Sequence, residues 1–235
     1  MKIGDVVNFD IIVKGKDTAW TQITCKPSYL DNLKKGDKYN PEEVFDFPNF
    51  TYQPMDDPSL QSLRKDFNLD SIAGTGNDLS KVINLMYWVH NLIPHDGNNG
   101  NPEVKNALSM IHVCQKENRG MNCRGLATVL NESYLALGFK SRFVTCMPKD
   151  SVFQDCHVIN MVWIDQLNKW IWMDPTNNAY VMDENGVLLS IEEVRYKLIN
   201  NQKMLINPDA NWNRKESVYK EYYLDQYMAK NLYRI

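Results

Sequence analysis

The sequence predicts an α+β fold, with helices packed on an antiparallel sheet. Two observations carry this. Apolar residues first recur at three- and four-residue spacing over residues 78–92, 104–117 and 123–137, which is helical periodicity. After Gly138 the character changes to short runs rich in Val, Ile, Phe and Trp, over residues 141–147, 157–164 and 169–173. Helices followed by strands suit segregated layers better than alternating β-α-β units. A third observation bounds the size: 235 residues, 43% hydrophobic and 23% charged, suffice for one domain, or one domain with a sizeable extension.

The elements follow in chain order. Residues 6–13 alternate well enough for a strand, and residues 20–25 allow another. Residues 41–58 read as an ordered loop with aromatic anchors at Phe45, Phe47, Phe50 and Tyr52. A helix is expected from Pro58 to about Phe67. In the stronger helix over 78–92, Asp78 is the expected N-cap, and Val82, Leu85, Met86, Val89 and Leu92 form the apolar face. Pro94 ends it, and residues 95–100 form a turn-rich loop. Gly120-Met121-Asn122 leads into the helix that starts at Cys123. Leu126, Leu130, Tyr134 and Leu137 mark its face, and Gly138 is a natural left-handed stop. A tyrosine-rich helix is expected over 216–231, with Tyr219, Tyr222, Tyr223 and Tyr227. Three parts result: a 1–75 extension packed on the core, a core over 76–182, and a helical extension over 183–235 of the same domain.

Composition excludes several classes. A net charge of −3 leaves no broad electrostatic footprint for nucleic acid. The longest apolar stretch, residues 82–93, is interrupted by Asn84, His90 and Asn91, and is too short and too polar for a membrane span. Five cysteines are too few for a disulfide scaffold, and the odd number leaves at least one thiol unpaired within the chain. The N-terminal residues lack the apolar run of a secretory leader. The expected compartment is therefore the cytoplasm on the sequence as it stands, or outside it if a leader has been removed.

The chemistry gathers on three residues. A thiol at a helix N-terminus, such as Cys123, feels the positive end of the peptide dipoles, which favours the thiolate. The same free amides can hold a developing oxyanion. His157 begins one strand and Asp174 ends the next. If those strands form a hairpin through residues 165–168, any even-length loop gives them matching parity. A turn centred between Asp165 and Gln166 opposes them directly, and one centred between Gln166 and Leu167 sets them on a diagonal. Asp174 can then orient the imidazole, and His157 can draw off the Cys123 proton.

These residues stand in a longer pattern. The runs KVINLMYWVHNLIPHD, GMNCRGLATVLNESYLALGFKSRFV and HVINMVWIDQLNKWIWMDPTNNAY resemble the transglutaminase-like superfamily, whose core is similar to papain-type cysteine peptidases. Cys123, Leu137-Gly138, Arg142, His157, Trp170 and Asp174-Pro175-Thr176 fall in the family order. The resemblance covers about residues 80–182. It implies a papain-like core with Cys123 as nucleophile, His157 as base and Asp174 as orienter. Met121 and Asn122 both stand between the glycine and the cysteine, where the family usually has one residue. Val158-Ile159 follows the histidine where an aromatic is common, and Leu126 holds a position that is often aromatic.

Lesser candidates complete the reading. Asn122, Gln115 and Asn118 precede the cysteine, and each side-chain amide is either an oxyanion donor or a turn-former. Trp170 and Trp172 share the Asp174 face, either in a substrate cleft or in the core. His90 with His95, and His112 with Cys114, lack the partners of a metal site, and no clustered acidic loop suggests calcium. Neither a metal nor a cofactor is expected. Cys146 and Cys156 are expected to be reduced. The expected function is a cysteine-dependent enzyme that hydrolyses an amide or peptide bond through a thioester acyl-enzyme, acting on a peptide or protein substrate. The alternatives are acyl transfer to an amine, as in a transglutaminase, and a catalytically silent protein- or peptide-binding module. The oligomeric state is open.

Overall fold

A computed structural model describes residues 2–36, 38–39, 50–150, 152 and 155–235. The elements run β1 (Val6–Val13), β2 (Asp17–Thr24), α1 (Tyr29–Lys34), α2 (Pro58–Asp66), α3 (Leu69–Ala73), α4 (Asp78–Leu92), α5 (Ala107–Glu117), α6 (Cys123–Ala136), β3 (Ser141–Cys146), β4 (His157–Ile164) and β5 (Lys169–Met173). Then come β6 (Val181–Met182), α7 (Ile191–Ile199), β7 (Leu205–Ile206), β8 (Asn211–Trp212), β9 (Glu216–Ser217), α8 (Lys220–Tyr222) and α9 (Ala229–Asn231), with a π-helical turn, Tyr223–Met228, joining the last two. Helices and an antiparallel sheet are thus segregated, as the residue pattern predicts.

Helix α6 is the centre of the fold. Nearly every residue from Gly125 to Ala136 is buried, because α2, α4 and α5 pack around it while β3 and β4 cross it. A helix covered on all sides must be apolar or small on all sides. Its sequence, CRGLATVLNESYLA, meets that with Leu, Ala and Val and with hydroxyls that bond back to the helix: Ser133 donates to the Val129 carbonyl at 2.7 Å. Glu132 is the exception, a buried carboxyl whose Oε2 accepts the Ala107 N–H at 2.9 Å. Leu137 caps the helix, and Gly138 follows at φ +85, a conformation that a Cβ would strain.

The central sheet has the order β3-β4-β5, antiparallel throughout. Its two faces feed two cores. Val162, Ile164, Ile171 and Met173 join the helical core with Leu85, Met86, Val89, Met110, Leu126 and Leu130. Cys146, Ile159, Met161 and Trp172 join a second core with Leu33, Val194, Leu198, Tyr223, Leu224, Met228 and Leu232. Each such side chain contributes roughly 1.5–3 kcal/mol by leaving water. The sheet is therefore covered on both sides, which is why β4 is buried at seven of its eight positions instead of alternating.

Several local expectations change. Asn77, not Asp78, caps α4, its side chain accepting the Ser80 N–H at 2.9 Å while Asp78 faces the positive dipole end in the first turn. Helix α5 begins at Ala107 because Asn106 caps it. The expected helix over 216–231 starts only at Lys220, because Glu216–Ser217 pairs with Asn211–Trp212. Residues 183–235 are thus mixed strand and helix, and α7 begins at a capping box, Ser190 with Glu193. Of the described residues before 76, Leu33, Leu60, Leu63, Leu69 and Ala73 are the buried ones. The β1–β2 hairpin is exposed at every position but Thr21. Of the expected aromatic loop, Phe45 and Phe47 lie outside the described residues. Tyr52 packs against the helical core and Phe50 meets it edge-on at 4.9 Å.

Candidate active site

The N-terminal end of α6 is held from two directions. Asn122 caps it, its Oδ1 accepting the Gly125 N–H at 3.0 Å and its Nδ2 donating to the Asn99 carbonyl at 3.2 Å. Upstream, residues 94–96 run beside Met121. Asp96 N–H donates to the Met121 carbonyl at 2.8 Å, and Met121 N–H to the Pro94 carbonyl at 3.0 Å. Gly120 permits this approach, since a Cβ there would lie 2.5 Å from the Pro94 oxygen. The result is a partly exposed Cys123 thiol whose electrostatic setting is made by the side chains of His157 and His95 and by the Val158 backbone.

The β4–β5 hairpin brings His157 to Asp174. Ile164 pairs with Lys169, which centres the turn between Gln166 and Leu167 and sets the two residues on a diagonal. His157 Nε2 lies 2.8 Å from Asp174 Oδ2. Both side chains are buried. A carboxylate only accepts, so Nε2 carries hydrogen and Nδ1 is left for the thiol. Asp174 holds its charge through many donors. Oδ2 also accepts from Tyr223 Oη at 2.6 Å and Asn177 Nδ2 at 2.9 Å, and Oδ1 accepts the Thr176 N–H at 2.9 Å. The edge of Tyr227 packs on the His157 ring, centroids 5.2 Å apart.

The electrostatics follow from this geometry. Burial alone would push the Cys123 thiol up, but the hydrogen bonds from His157 and His95 and the imidazolium charge outweigh it and bring it down to about 6. Burial likewise opposes charging of His157, yet Asp174 and the Cys123 sulfur raise it to about 10. Burial raises Asp174, and the imidazolium and its hydrogen bond bring it below the usual carboxylate range. Between about pH 6 and 10 the pair is therefore thiolate and imidazolium, and its two titrations belong to the pair rather than to either residue.

The remaining sequence candidates scatter. Asn122 spends its amide on the cap and on Asn99. Asn118 is the left-handed cap of α5, φ 47, and with exposed Gln115 it lines a surface hollow formed by the ends of α4 and α5. Trp172 is fully buried, donating from Nε1 to Tyr223 Oη at 3.2 Å, so it does not face a cleft. Trp170 meets the edge of Trp163 and lies under Arg142, with 4.9 Å from guanidinium carbon to ring centroid. Pairing across β4 and β5 explains both tryptophans: Trp172 lies opposite Met161 and Trp170 opposite Trp163, on the strand face that looks into the second core. Cys146 is a buried free thiol raised by desolvation, and Cys156 is a free exposed one. His90 is buried between the Pro175 carbonyl and Asn211 Oδ1, each at 2.9 Å. Among the described residues no group of three or more His, Cys, Asp and Glu is placed to hold a metal ion, and no helix is long and apolar enough to cross a membrane.

Four residues around the site were not singled out as site residues from sequence: His95, Trp212, Tyr223 and Tyr227. They border a cavity of about 420 Å³ that also takes in Thr176 and Asn177. Its walls touch the site, because His95 helps to bring the Cys123 thiol down, Tyr223 bonds Asp174 and Tyr227 covers His157. His95 lies in the first run of the family pattern and the two tyrosines in the expected C-terminal helix, but neither signal points to the site, and three of the four come from a segment far along the chain.

Residues 65–175 match the model of the transglutaminase-like superfamily. That superfamily covers cysteine protease and acyltransferase activities. The transglutaminase-like segment includes His95, Cys123, His157 and Asp174 and ends before Trp212 and the tyrosines. Among solved structures, a candidate cysteine protease from Cytophaga hutchinsonii is 16% identical, with 92% of this chain and 78% of that chain covered and a TM-score of 0.40. A TGase is 18% identical, with 72% and 43% covered and a TM-score of 0.36. No curated protein sequence matches the chain.

Proposed function

We propose that this protein is a cysteine-dependent acyl-transfer enzyme that hydrolyses an amide or peptide bond. One observation carries the reading: a partly exposed thiol at a helix start, brought down by a buried imidazole that a buried carboxylate orients at 2.8 Å. Packing does not require three such groups in a line, and burying a charged pair costs free energy unless it is used or fully compensated.

The mechanism follows from the roles. The Cys123 thiolate attacks the substrate carbonyl carbon, and the carbonyl electron pair moves to oxygen. When the tetrahedral intermediate collapses, the C–N bond breaks and the leaving nitrogen takes the proton from His157 Nδ1. A thioester remains on Cys123. Water then attacks it, His157 takes the water proton, and the acid leaves with Cys123 returned to thiolate. Asp174 keeps Nε2–H engaged, which holds Nδ1 towards the sulfur and stabilises the imidazolium. An amine in place of water would give a transglutaminase. We propose a peptide or protein as the substrate class.

The test is direct. Alkylation of Cys123 by iodoacetamide should follow a midpoint near pH 6, and His157→Ala should move it towards the ordinary thiol value of about 8.5. Mass spectrometry after exposure to p-nitrophenyl acetate should find the acetyl group on Cys123. An ordinary thiol titration with no acyl adduct would leave only the silent binding module.

A further inference from the structure

We infer that His95 is a second active imidazole, a neutral Nε2–H donor that holds the oxyanion formed when Cys123 attacks a carbonyl. The inference rests on the acyl-transfer reading above and assigns a group that none of its steps has used. Every side-chain amide weighed for this task from sequence is spent or remote, so a side-chain donor beside the backbone N–H groups at the start of α6 has to come from elsewhere.

The tautomer comes from Trp212. Its indole Nε1–H is a donor only, and it lies 3.3 Å from His95 Nδ1. Nδ1 must therefore accept, which places the ring hydrogen on Nε2. The rings stand edge-to-face, centroids 6.2 Å apart, so Trp212 fixes both the protonation site and the ring plane. The backbone of His95 is clamped as well. Its N–H donates to Asn213 Oδ1 at 2.6 Å, and its carbonyl accepts from Asn213 Nδ2 at 2.9 Å. The ladder to Met121 then ties this clamped residue to the segment two residues before Cys123. The His95 side chain helps to bring the Cys123 thiol down and also lines the cavity, so it stands between the nucleophile and the space where a substrate carbonyl would lie.

The two imidazoles around Cys123 are thus set oppositely. Asp174 accepts from His157 Nε2, which leaves Nδ1 to exchange a proton. Trp212 donates to His95 Nδ1, which leaves Nε2–H as a fixed donor. In the resting enzyme that donor bonds the thiolate. As the C–S bond forms, the sulfur loses its negative charge and the carbonyl oxygen gains it, and the hydrogen bond passes from one to the other. No proton leaves His95, and collapse of the intermediate returns the donor to the thiolate. A donor preorganised for developing charge costs nothing to reorganise in the transition state.

The experiment compares two reactions of the same thiol in the full-length chain. Acylation by p-nitrophenyl acetate builds an oxyanion, whereas alkylation by iodoacetamide displaces iodide and builds none. At pH 9.5, where most of an ordinary thiol is also ionised, His95→Ala should slow acylation by about 100-fold and alkylation by less than about threefold. His95→Gln, which restores an N–H donor, should recover about a tenth or more of the acylation rate. Equal losses in the two reactions, or acylation unaffected by His95→Ala, would overturn the assignment. Should the alanine variant not fold, Trp212→Phe keeps an aromatic ring and removes the N–H. It should cost acylation about fivefold, the worth of roughly one hydrogen bond, with alkylation unchanged, and undiminished acylation would again overturn it. A wild-type chain with no acyl-Cys123 by mass spectrometry sinks the acyl-transfer reading itself. A wild type that acylates normally beside an unaffected His95 variant sinks only the role of His95.

Discussion

The transglutaminase-like segment and the last thirty or so residues contribute to one site in different ways. The first supplies Cys123, His157 and Asp174, each at the end of a regular element that local signals define. The second supplies Trp212, Tyr223 and Tyr227, each of which touches one of the site's ionisable groups from outside. The difference separates reactivity from setting. A thiolate–imidazolium pair needs a helix start, a strand start and a carboxylate. Part of its burial, the indole that meets His95 and the cavity wall come from chain added after the sheet is complete. Tyr223 shows the coupling, since its one hydroxyl bonds Asp174 and accepts from Trp172 in the second core.

Substitutions can break this comparison in order of size. The largest effect is expected in the first region. Cys123→Ala should lower acyl transfer at least about 10⁴-fold with little change in melting temperature, read as p-nitrophenolate release and a thermal scan. Asp174→Ala should cost about 10³-fold in kcat/KM, and it should destabilise the fold by about 3–5 kcal/mol, because it strips the partner from buried His157 and Tyr223. It should also move the iodoacetamide midpoint of Cys123 upwards. The sign follows from linkage: without the imidazolium charge held beside it, the thiolate loses the interaction that brought it down.

Smaller effects belong to the second region. Tyr223→Phe removes one donor to Asp174 and orphans the Trp172 N–H. Chemical denaturation should show a loss of about 1–2 kcal/mol, with a modest fall in activity, whereas an unchanged activity would mean that the C-terminal segment serves stability alone. Glu132→Gln probes the helical core away from the site. Burial pushes this carboxyl up to about 7, against the hydrogen bond from Ala107. A raised carboxyl contributes stability fully below its unfolded value of about 4.3, and that contribution is lost as pH rises through about 7. The variant should therefore melt higher than wild type at pH 8, by about 5 °C, and close to it at pH 5. The smallest effect is expected from deleting the exposed β1–β2 hairpin, which should shift melting by less than about 2 °C and leave acylation unchanged.

Legibility in the sequence followed the same division. The bounds of β1, β4 and β5 were readable because runs of β-branched and aromatic residues end at turn-formers such as Asp165 and Asn168. Helix α6 was readable because Asn122 and Gly138 punctuate it. The parity of His157 and Asp174 followed from the two-residue repeat of a strand, although only the observed register chose the diagonal. Trp170 and Trp172 were ambiguous, because parity says which residues share a face but not what covers it. The short strands β6 to β9 have two residues each, too few for any period. The capping box at Ser190 was a usable signal that a helix begins there.

What the sequence by itself determined is the order of the layers and the ends of the main elements, with three candidate site residues at those ends. Periodicity, caps and turn residues act over a few positions, so they can be read in one dimension. Only the tertiary structure decided that α6 lies with its start against the His157 strand, that a second core covers the far face of the sheet, and that His95 and Trp212 meet beside the thiol. Those contacts join residues well separated in the chain, by 51 positions for Trp172 and Tyr223 and by 117 for His95 and Trp212. Which of them form depends on how whole faces fit and exclude water, and no local pattern records that.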